Sequence, residues 1–223
     1  MNFFGHAALA ASHFEQAEPR LAARELERAT VGAMLPDFVG MLGLGRAQVH
    51  DESLARGVAY HHRTDEAFHE LESFHELSRQ SFAWLSEQGL ARGPARAVAH
   101  IGVEILLDEV LADDARNRDA YRAALATSLD GALTFPTEQA PARLEMLRLN
   151  LLERAQHYTT PSPELVAQRI RRSLAGRPRL AVDDAGEALL GAWVALIRPQ
   201  IHGAAPVLLA TLRARLANSE RAD

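Results

Sequence analysis

The sequence predicts an all-α protein, one compact helical domain of about ten helices, and two observations support this prediction. Apolar residues recur at helical spacing along nearly the whole chain, whereas the alternating runs of β-branched residues that indicate strands are missing. Interruptions of the apolar pattern coincide with glycine or proline, the residues that most often end helices. Because 223 residues can enclose one sizeable hydrophobic core, we expect a single domain over residues 1–223.

The predicted helices follow one another with short connections. In chain order they cover 4–16, 20–34, 51–72, 74–88, 93–112, 117–130, 138–157, 162–175, 182–197 and 199–218. The signals that separate them are Glu18-Pro19, Pro36, Gly43-Leu44-Gly45, Gly89, Gly93-Pro94, Phe135-Pro136, Pro161-Ser162-Pro163 and Gly176-Arg177-Pro178. Ser162 or Thr160 is expected to cap the helix that follows Pro163.

Composition narrows the functional classes. The net charge of −5 argues against a broad surface for nucleic acid, and no apolar run approaches the length that crosses a membrane. Cysteine is absent, which excludes disulfides, thiolate metal ligands and a cysteine nucleophile. All 24 basic side chains are arginines, which suit bidentate contacts with phosphate. The first 16 residues lack the basic region of a secretory signal, so we expect a cytoplasmic enzyme, with the oligomeric state left open.

Histidines and carboxylates concentrate first in residues 60–69. His61, Asp65 and His69 follow at i, i+4 and i+8, which places them along one face of a helix. The two histidines are then about 12 Å apart along the axis, too far to share one ion whose ligand bonds are about 2 Å. The pattern predicts either two ions bridged by Asp65 or one ion with a histidine outside its ligand shell. A solvated face of paired charges is the alternative.

A second series at the same spacing consists of His100, Glu104 and Asp108. It lies in a predicted helix, 95–111, that is apolar on nearly all sides and therefore expected to be buried. Burying two carboxylates without a cation would be costly. A metal ion or an arginine partner would offset that cost, and this is the most informative point in the sequence.

Two further ligand candidates precede these series. His6 stands in an apolar segment, and Asp37 follows Pro36 in what we interpret as a turn, where it could alternatively cap the next helix. Imidazole and carboxylate ligands together suit Zn²⁺, Mn²⁺ or Fe²⁺.

Four short motifs follow one another along the chain: Met1-Asn2-Phe3-Phe4-Gly5-His6, Gly32-Ala33-Met34-Leu35-Pro36-Asp37-Phe38-Val39, Gly57-Val58-Ala59-Tyr60-His61-His62-Arg63-Thr64-Asp65 and Leu107-Asp108-Glu109-Val110-Leu111. In order and spacing they resemble motifs of the acyl-carrier-protein phosphodiesterases, and the later segment Gly176-Arg177-Pro178-Arg179-Leu180 is similar to a fifth motif of that family. That family is all-helical and similar to HD-domain phosphohydrolases. Its members are metal-dependent and cleave the phosphodiester that joins phosphopantetheine to its carrier protein.

Carried over by position, this resemblance implies metal-site roles for five residues and a phosphate or substrate contact for an arginine. The five are His6, Asp37, His61, Asp65 and Asp108, and the arginine is Arg63, Arg177 or Arg179. The order of His61, Asp65, His69, His100 and Glu104 is also similar to the ligand order of zinc-dependent phospholipases C and single-strand-specific zinc nucleases. Those enzymes are all-α phosphodiesterases too.

We therefore predict a metal-dependent phosphodiesterase that uses one or two divalent ions to activate water. The predicted metal ligands are His6, Asp37, His61, Asp65, His69, His100 and Glu104. Arg63 would stabilise the negative charge that develops on the phosphoryl group, and Asp108 or His62 would orient the water or protonate the leaving oxygen. Arg177 and Arg179 are predicted substrate contacts. The alternatives are a helical binding module with a structural metal and an HD-like nucleotide phosphohydrolase.

Overall fold

A computed structural model describes residues 1–157 and 159–219 and confirms the all-α class. Two strands of two residues each, β1 (Gln48–Val49) and β2 (Leu133–Thr134), form one antiparallel pair. The described residues otherwise form nine helices: α1 Phe3–Ala17, α2 Ala23–Leu42, α3 Glu52–His69, α4 Glu72–Glu87, α5 Arg92–Ala112, α6 Ala115–Ala126, α7 Ala140–Gln156, α8 Pro163–Leu174 and α9 Asp184–Ser219.

The helices differ from the prediction mainly at prolines. Helix α2 continues through Pro36 to Leu42, and α9 continues through Pro199, so the last two predicted helices are one helix of 36 residues. A proline inside a helix removes one backbone hydrogen bond and crowds the preceding turn. Around Pro199 the neighbouring Ile197 and Ile201 are both buried, and burial of this apolar face outweighs the loss. Asp37 consequently lies inside a helix, so the turn and the cap that we considered for it are both wrong.

The described chain divides into two compact units. Unit 1 contains Met1–Asp65 and Leu111–Thr159, and unit 2 contains Glu66–Val110 and Thr160–Asp223. Unit 1 therefore holds α1, α2, most of α3, α6 and α7, and unit 2 holds α4, most of α5, α8 and α9. A single domain over 1–223 stays a prediction. Within the described residues no helix is both long and apolar enough to span a membrane.

Unit 1 is organised around a close crossing of α2 and α3. A Cβ atom added to Gly57 would lie 1.9 Å from the Ala29 carbonyl oxygen, and one added to Gly32 would lie 2.2 Å from the Leu54 carbonyl oxygen. Only glycine at both positions lets the two backbones touch. The core next to this crossing includes Phe38, which is 1% exposed.

Unit 2 has its own core, in which α9 packs against α4 and α8. Trp193 of α9 is fully buried against Gly102 of α5, where an added Cβ would lie 2.3 Å from the indole ring. Glu109 of α5 is also buried, and it forms an ion pair with Arg198 of α9, whose guanidinium donates a hydrogen bond of 3.3 Å to Glu109 Oε1. This ion pair compensates the burial of an acid in an apolar helix.

Candidate metal centres

The first cluster of metal-ligand atoms lies in unit 1 beyond the glycine crossing. About one helical turn after Gly32 and Gly57, α2 carries Asp37 and α3 carries His61. The Nδ1 atom of His61 lies 2.9 Å from the carbonyl oxygen of Ala33. A carbonyl can only accept, so Nδ1 holds the ring hydrogen and Nε2 keeps its lone pair. The glycine crossing thus decides which nitrogen of His61 can bind a metal.

His6 of α1 completes this cluster and is oriented by Thr64. The Thr64 hydroxyl donates to the carbonyl oxygens of Tyr60 and His61 at 3.0 and 2.9 Å, so its oxygen accepts a hydrogen from His6 Nδ1 at 2.8 Å. Nε2 of His6 therefore also carries a lone pair. The ring centroids of His6 and His61 are 4.0 Å apart. His6, Asp37 and His61 each offer one ligand atom, and these three atoms lie within 4.8 Å of one another.

The electrostatics of the first cluster favour a neutral imidazole at His61. Burial, together with the neighbouring His6, lowers the pKa of His61 from its ordinary value of 6.5 to about 3. The ring is therefore uncharged at neutral pH, which is the form that binds metals. Asp65 lies beside the cluster, with its Oδ1 atom 3.7 Å from His6 Nε2 and 3.1 Å from the Met1 amino group.

The buried state of His61 predicts an acid-sensitive unit 1 in metal-stripped protein. As the pH falls below 6.5, the unfolded chain protonates this residue while the folded chain resists protonation until about pH 3. The free energy of unfolding should therefore fall across that window, by at most about 1.4 kcal/mol per pH unit from this one group. Urea unfolding at several pH values should show a shallower fall for His61→Gln than for the unchanged protein. The exposed His75→Gln serves as control, and equal slopes for all three proteins would contradict the expectation.

The second cluster lies in unit 2, at the last residue of α3 and along α5. His69 Nε2 is 3.2 Å from His100 Nε2 and 3.1 Å from Glu104 Oε1, and His100 Nε2 is 3.2 Å from the same oxygen. The two imidazole rings are stacked, with an interplanar angle of 8°. The three ligand atoms thus form a nearly equilateral triangle.

Hydrogen bonds account for at most two of the three edges of this triangle. Each Nε2 atom offers one in-plane site, which is either a hydrogen or a lone pair, and the carboxylate oxygen offers only lone pairs. If both Nε2 atoms carry hydrogens, both can donate to Glu104 Oε1, and the 3.2 Å contact between the two nitrogens is then not a hydrogen bond. A cation in contact with all three atoms would account for all three edges. Four ligands at about 2.0 Å around a tetrahedral ion lie about 3.3 Å apart, close to the observed edges.

The second cluster is charged and open to solvent. Burial by itself would raise the pKa of Glu104, but the contacts from His100 and His69 outweigh burial and hold that pKa well below its usual range. Glu104 is therefore ionised. Its side chain is 12% exposed, whereas those of His69 and His100 are 31% and 47% exposed. A ligand can reach the triangle from the side of the two histidines.

The other residues that the sequence predicts as ligands, proton donors or substrate contacts are not members of the two ligand-atom clusters found among the described residues. Asp65 and Asp108 are half-buried on α3 and α5. The guanidinium of Arg63 lies 5.6 Å from the ring centroid of Tyr60, and His62 is exposed. Arg177 and Arg179 are exposed in the turn after α8.

Sequence reasoning missed Thr64 as the residue that orients His6. The partner on α1 becomes visible only in the folded chain, because the hydrogen bond joins two residues 58 positions apart in the sequence. Arg92 and Arg96 of α5 were also missed as neighbours of His100 along the helix.

Comparison of the chain with protein-family models, with curated protein sequences and with solved structures finds no match. The function of the protein must therefore be inferred from the arrangement of these side chains.

Proposed function

We propose that this protein is a metal-dependent hydrolase that cleaves phosphoric esters, with phosphodiesters as its preferred class. The observation that supports the proposal most directly is the triangle of His69, His100 and Glu104, in which two imidazole nitrogens and one carboxylate oxygen lie 3.1 to 3.2 Å from one another.

The donor set fits a catalytic ion better than a structural one. Two imidazole nitrogens and one carboxylate oxygen match the three-ligand sets of hydrolytic zinc sites, which leave one position open for water or substrate. Structural zinc sites are closed by four ligands that are usually cysteines, and this chain has no cysteine. The exposure of His69 and His100 supports the same choice. Zn²⁺, Mn²⁺ and Fe²⁺ all accept such ligands.

Each side chain in this proposal has a defined role. Glu104 supplies the negative charge that attracts a cation, and His69 and His100 supply imidazole nitrogens as ligand atoms. An ion held there would supply the positive charge that acidifies water and polarises a phosphoryl oxygen.

His6, Asp37 and His61 would hold a second ion in unit 1. Asp108, one turn beyond Glu104, is proposed to transfer a proton to the leaving oxygen, with His62 as the alternative. Arg63 is proposed to stabilise the negative charge that develops on the phosphoryl group.

The finer assignment comes from the sequence resemblance. It favours the phosphodiester between phosphopantetheine and an acyl carrier protein as the substrate. The cytoplasmic location is proposed separately, from a composition that contains no cysteine. The geometry of the two clusters supports the reaction class and is compatible with other phosphodiesters.

The proposal is tested on protein purified without added metal. We expect elemental analysis to find one or two divalent ions per chain, and we expect bis(p-nitrophenyl) phosphate to be hydrolysed faster than p-nitrophenyl phosphate. Dialysis against a chelator should abolish turnover, and Zn²⁺ or Mn²⁺ should restore it. A chain that binds no ion, or one that hydrolyses the diester equally well after the ions are removed, would refute the proposal.

A further inference from the structure

A basic depression of about 580 Å³ lies beside the second cluster, entirely within unit 2. Its polar wall is formed by Arg92, Arg96 and His100 of α5 and by Arg177 of the turn after α8. Its apolar lining includes Ile101 and Leu180. This volume is in the range of sites for small organic ligands. Because His100 also belongs to the metal-ligand triangle, the depression and the second cluster share a side chain.

The depression exists because the turn after α8 packs against the first turn of α5. A Cβ atom added to Gly93 would lie 3.2 Å from the carbonyl oxygen of Arg179, so glycine permits this close approach. The turn is closed by a hydrogen bond of 2.8 Å from the Leu180 amide to the Arg177 carbonyl. Arg177 is thereby brought opposite the arginines of α5.

The positive charge of the depression is not neutralised by neighbouring acids. In the part of the chain that the structure describes, Arg92, Arg96 and Arg177 are exposed and their guanidinium groups have no carboxylate partner. Other arginines of unit 2 are paired, as Arg171 is with Asp184 and Glu187. Three unpaired guanidinium groups around one depression, in a chain of net charge −5, indicate a site for a small anion.

We propose that this depression binds a second phosphoryl group of the substrate, separate from the phosphodiester that is cleaved. Arginine forks match the oxygens of phosphate, which makes phosphate the best-fitting anion. Arg92, Arg96 and His100 lie at i, i+4 and i+8, so the two arginines are about 6 and 12 Å from the histidine along the helix axis. The substrate class is therefore a phosphodiester that carries a further phosphate about that far from its scissile phosphorus. This inference rests on the proposed hydrolase function for its kinetic test but not for its binding test.

The kinetic test compares two diesters with the same scissile bond. One is thymidine 5′-(p-nitrophenyl phosphate), and the other is its 3′-phosphorylated analogue. In the metal-loaded protein, kcat/KM should be about tenfold or more higher for the analogue, the gain expected of one charge-assisted contact. In Arg92→Ala and Arg96→Ala this ratio should approach one. Arg213→Ala, which removes an exposed arginine of α9 outside the depression, should keep the ratio of the unchanged protein.

The binding test uses inorganic pyrophosphate and the full-length, metal-stripped chain in a calorimeter. Pyrophosphate should bind, and Arg92→Ala or Arg96→Ala should weaken that binding about tenfold, with Arg213→Ala as control. If pyrophosphate binding depends on the two arginines but neither diester is hydrolysed, the hydrolase proposal fails while the anion site stands. Equal kcat/KM values for the two diesters in the unchanged protein would overturn the inference. So would pyrophosphate binding that is equally tight in the unchanged protein and in all three variants.

Discussion

Replacing Gly57 by alanine is expected to lower the free energy of unfolding by about 3 kcal/mol, because the substitution overpacks the close crossing of α2 and α3. The added Cβ would lie 1.9 Å from the Ala29 carbonyl oxygen and 2.9 Å from the Ala33 amide nitrogen. These neighbours are backbone atoms and cannot rotate away. Separating α2 from α3 would also lengthen the contact of His61 Nδ1 with Ala33. Urea unfolding followed by circular dichroism measures the loss of stability.

A matched alanine substitution is available on the same pair of helices. Gly40 lies in α2, and nothing stands within 4 Å of the Cβ that Gly40→Ala would add. Since alanine favours the helix over glycine by about 0.5–1 kcal/mol, this variant should be at least as stable as the unchanged protein. Equal stabilities for Gly57→Ala and Gly40→Ala would show that the two helices do not cross as described.

Substituting Glu104 by glutamine should reduce kcat for phosphodiester hydrolysis about a thousandfold, since an ion contributes several kcal/mol of transition-state stabilisation. Glutamine keeps the size and burial of Glu104 but removes the charge that attracts the cation. One divalent ion per chain should be lost. Elemental analysis and turnover of bis(p-nitrophenyl) phosphate measure the two effects.

The same chemical change at Glu70 is the control. Glu70 lies next to His69, but its side chain is 67% exposed and pairs with Arg215 on the surface of unit 2. Glu70→Gln should keep both the ion and kcat. Asp37→Asn should separately remove the ion assigned to unit 1. Unchanged metal content and turnover in Glu104→Gln would count against the His69, His100 and Glu104 site.

Most of the fold could be predicted because the helices here follow apolar periodicity. Helix α5, predicted over 93–112, is observed at Arg92–Ala112. The errors in the predicted helix ends fall where the local tendency of proline to end a helix competes with the burial of apolar side chains. Pro36 and Pro199 indicate helix ends when only neighbouring residues are considered, whereas burial on both sides keeps α2 and α9 continuous. Helix propensity alone does not measure that burial.

The candidate site was predictable within helices but not between them. The spacing of His100 and Glu104 on α5 predicts adjacent ligand atoms, and these are observed 3.2 Å apart. The same rule linked His61, Asp65 and His69, yet His61 instead groups with His6 and Asp37. Those residues come from three different helices. Their meeting depends on glycine contacts that spacing along one helix does not reveal.

The hydrogen bonds of Thr64 have a consequence for His6. The single hydroxyl proton of Thr64 is directed to carbonyl groups of its own helix, so the backbone of α3 selects the tautomer of a ring that belongs to α1. If this turn of α3 unwound, that selection would be lost together with the position of His61, which lies in the same turn. Affinity for an ion in unit 1 is therefore coupled to the local helicity of α3.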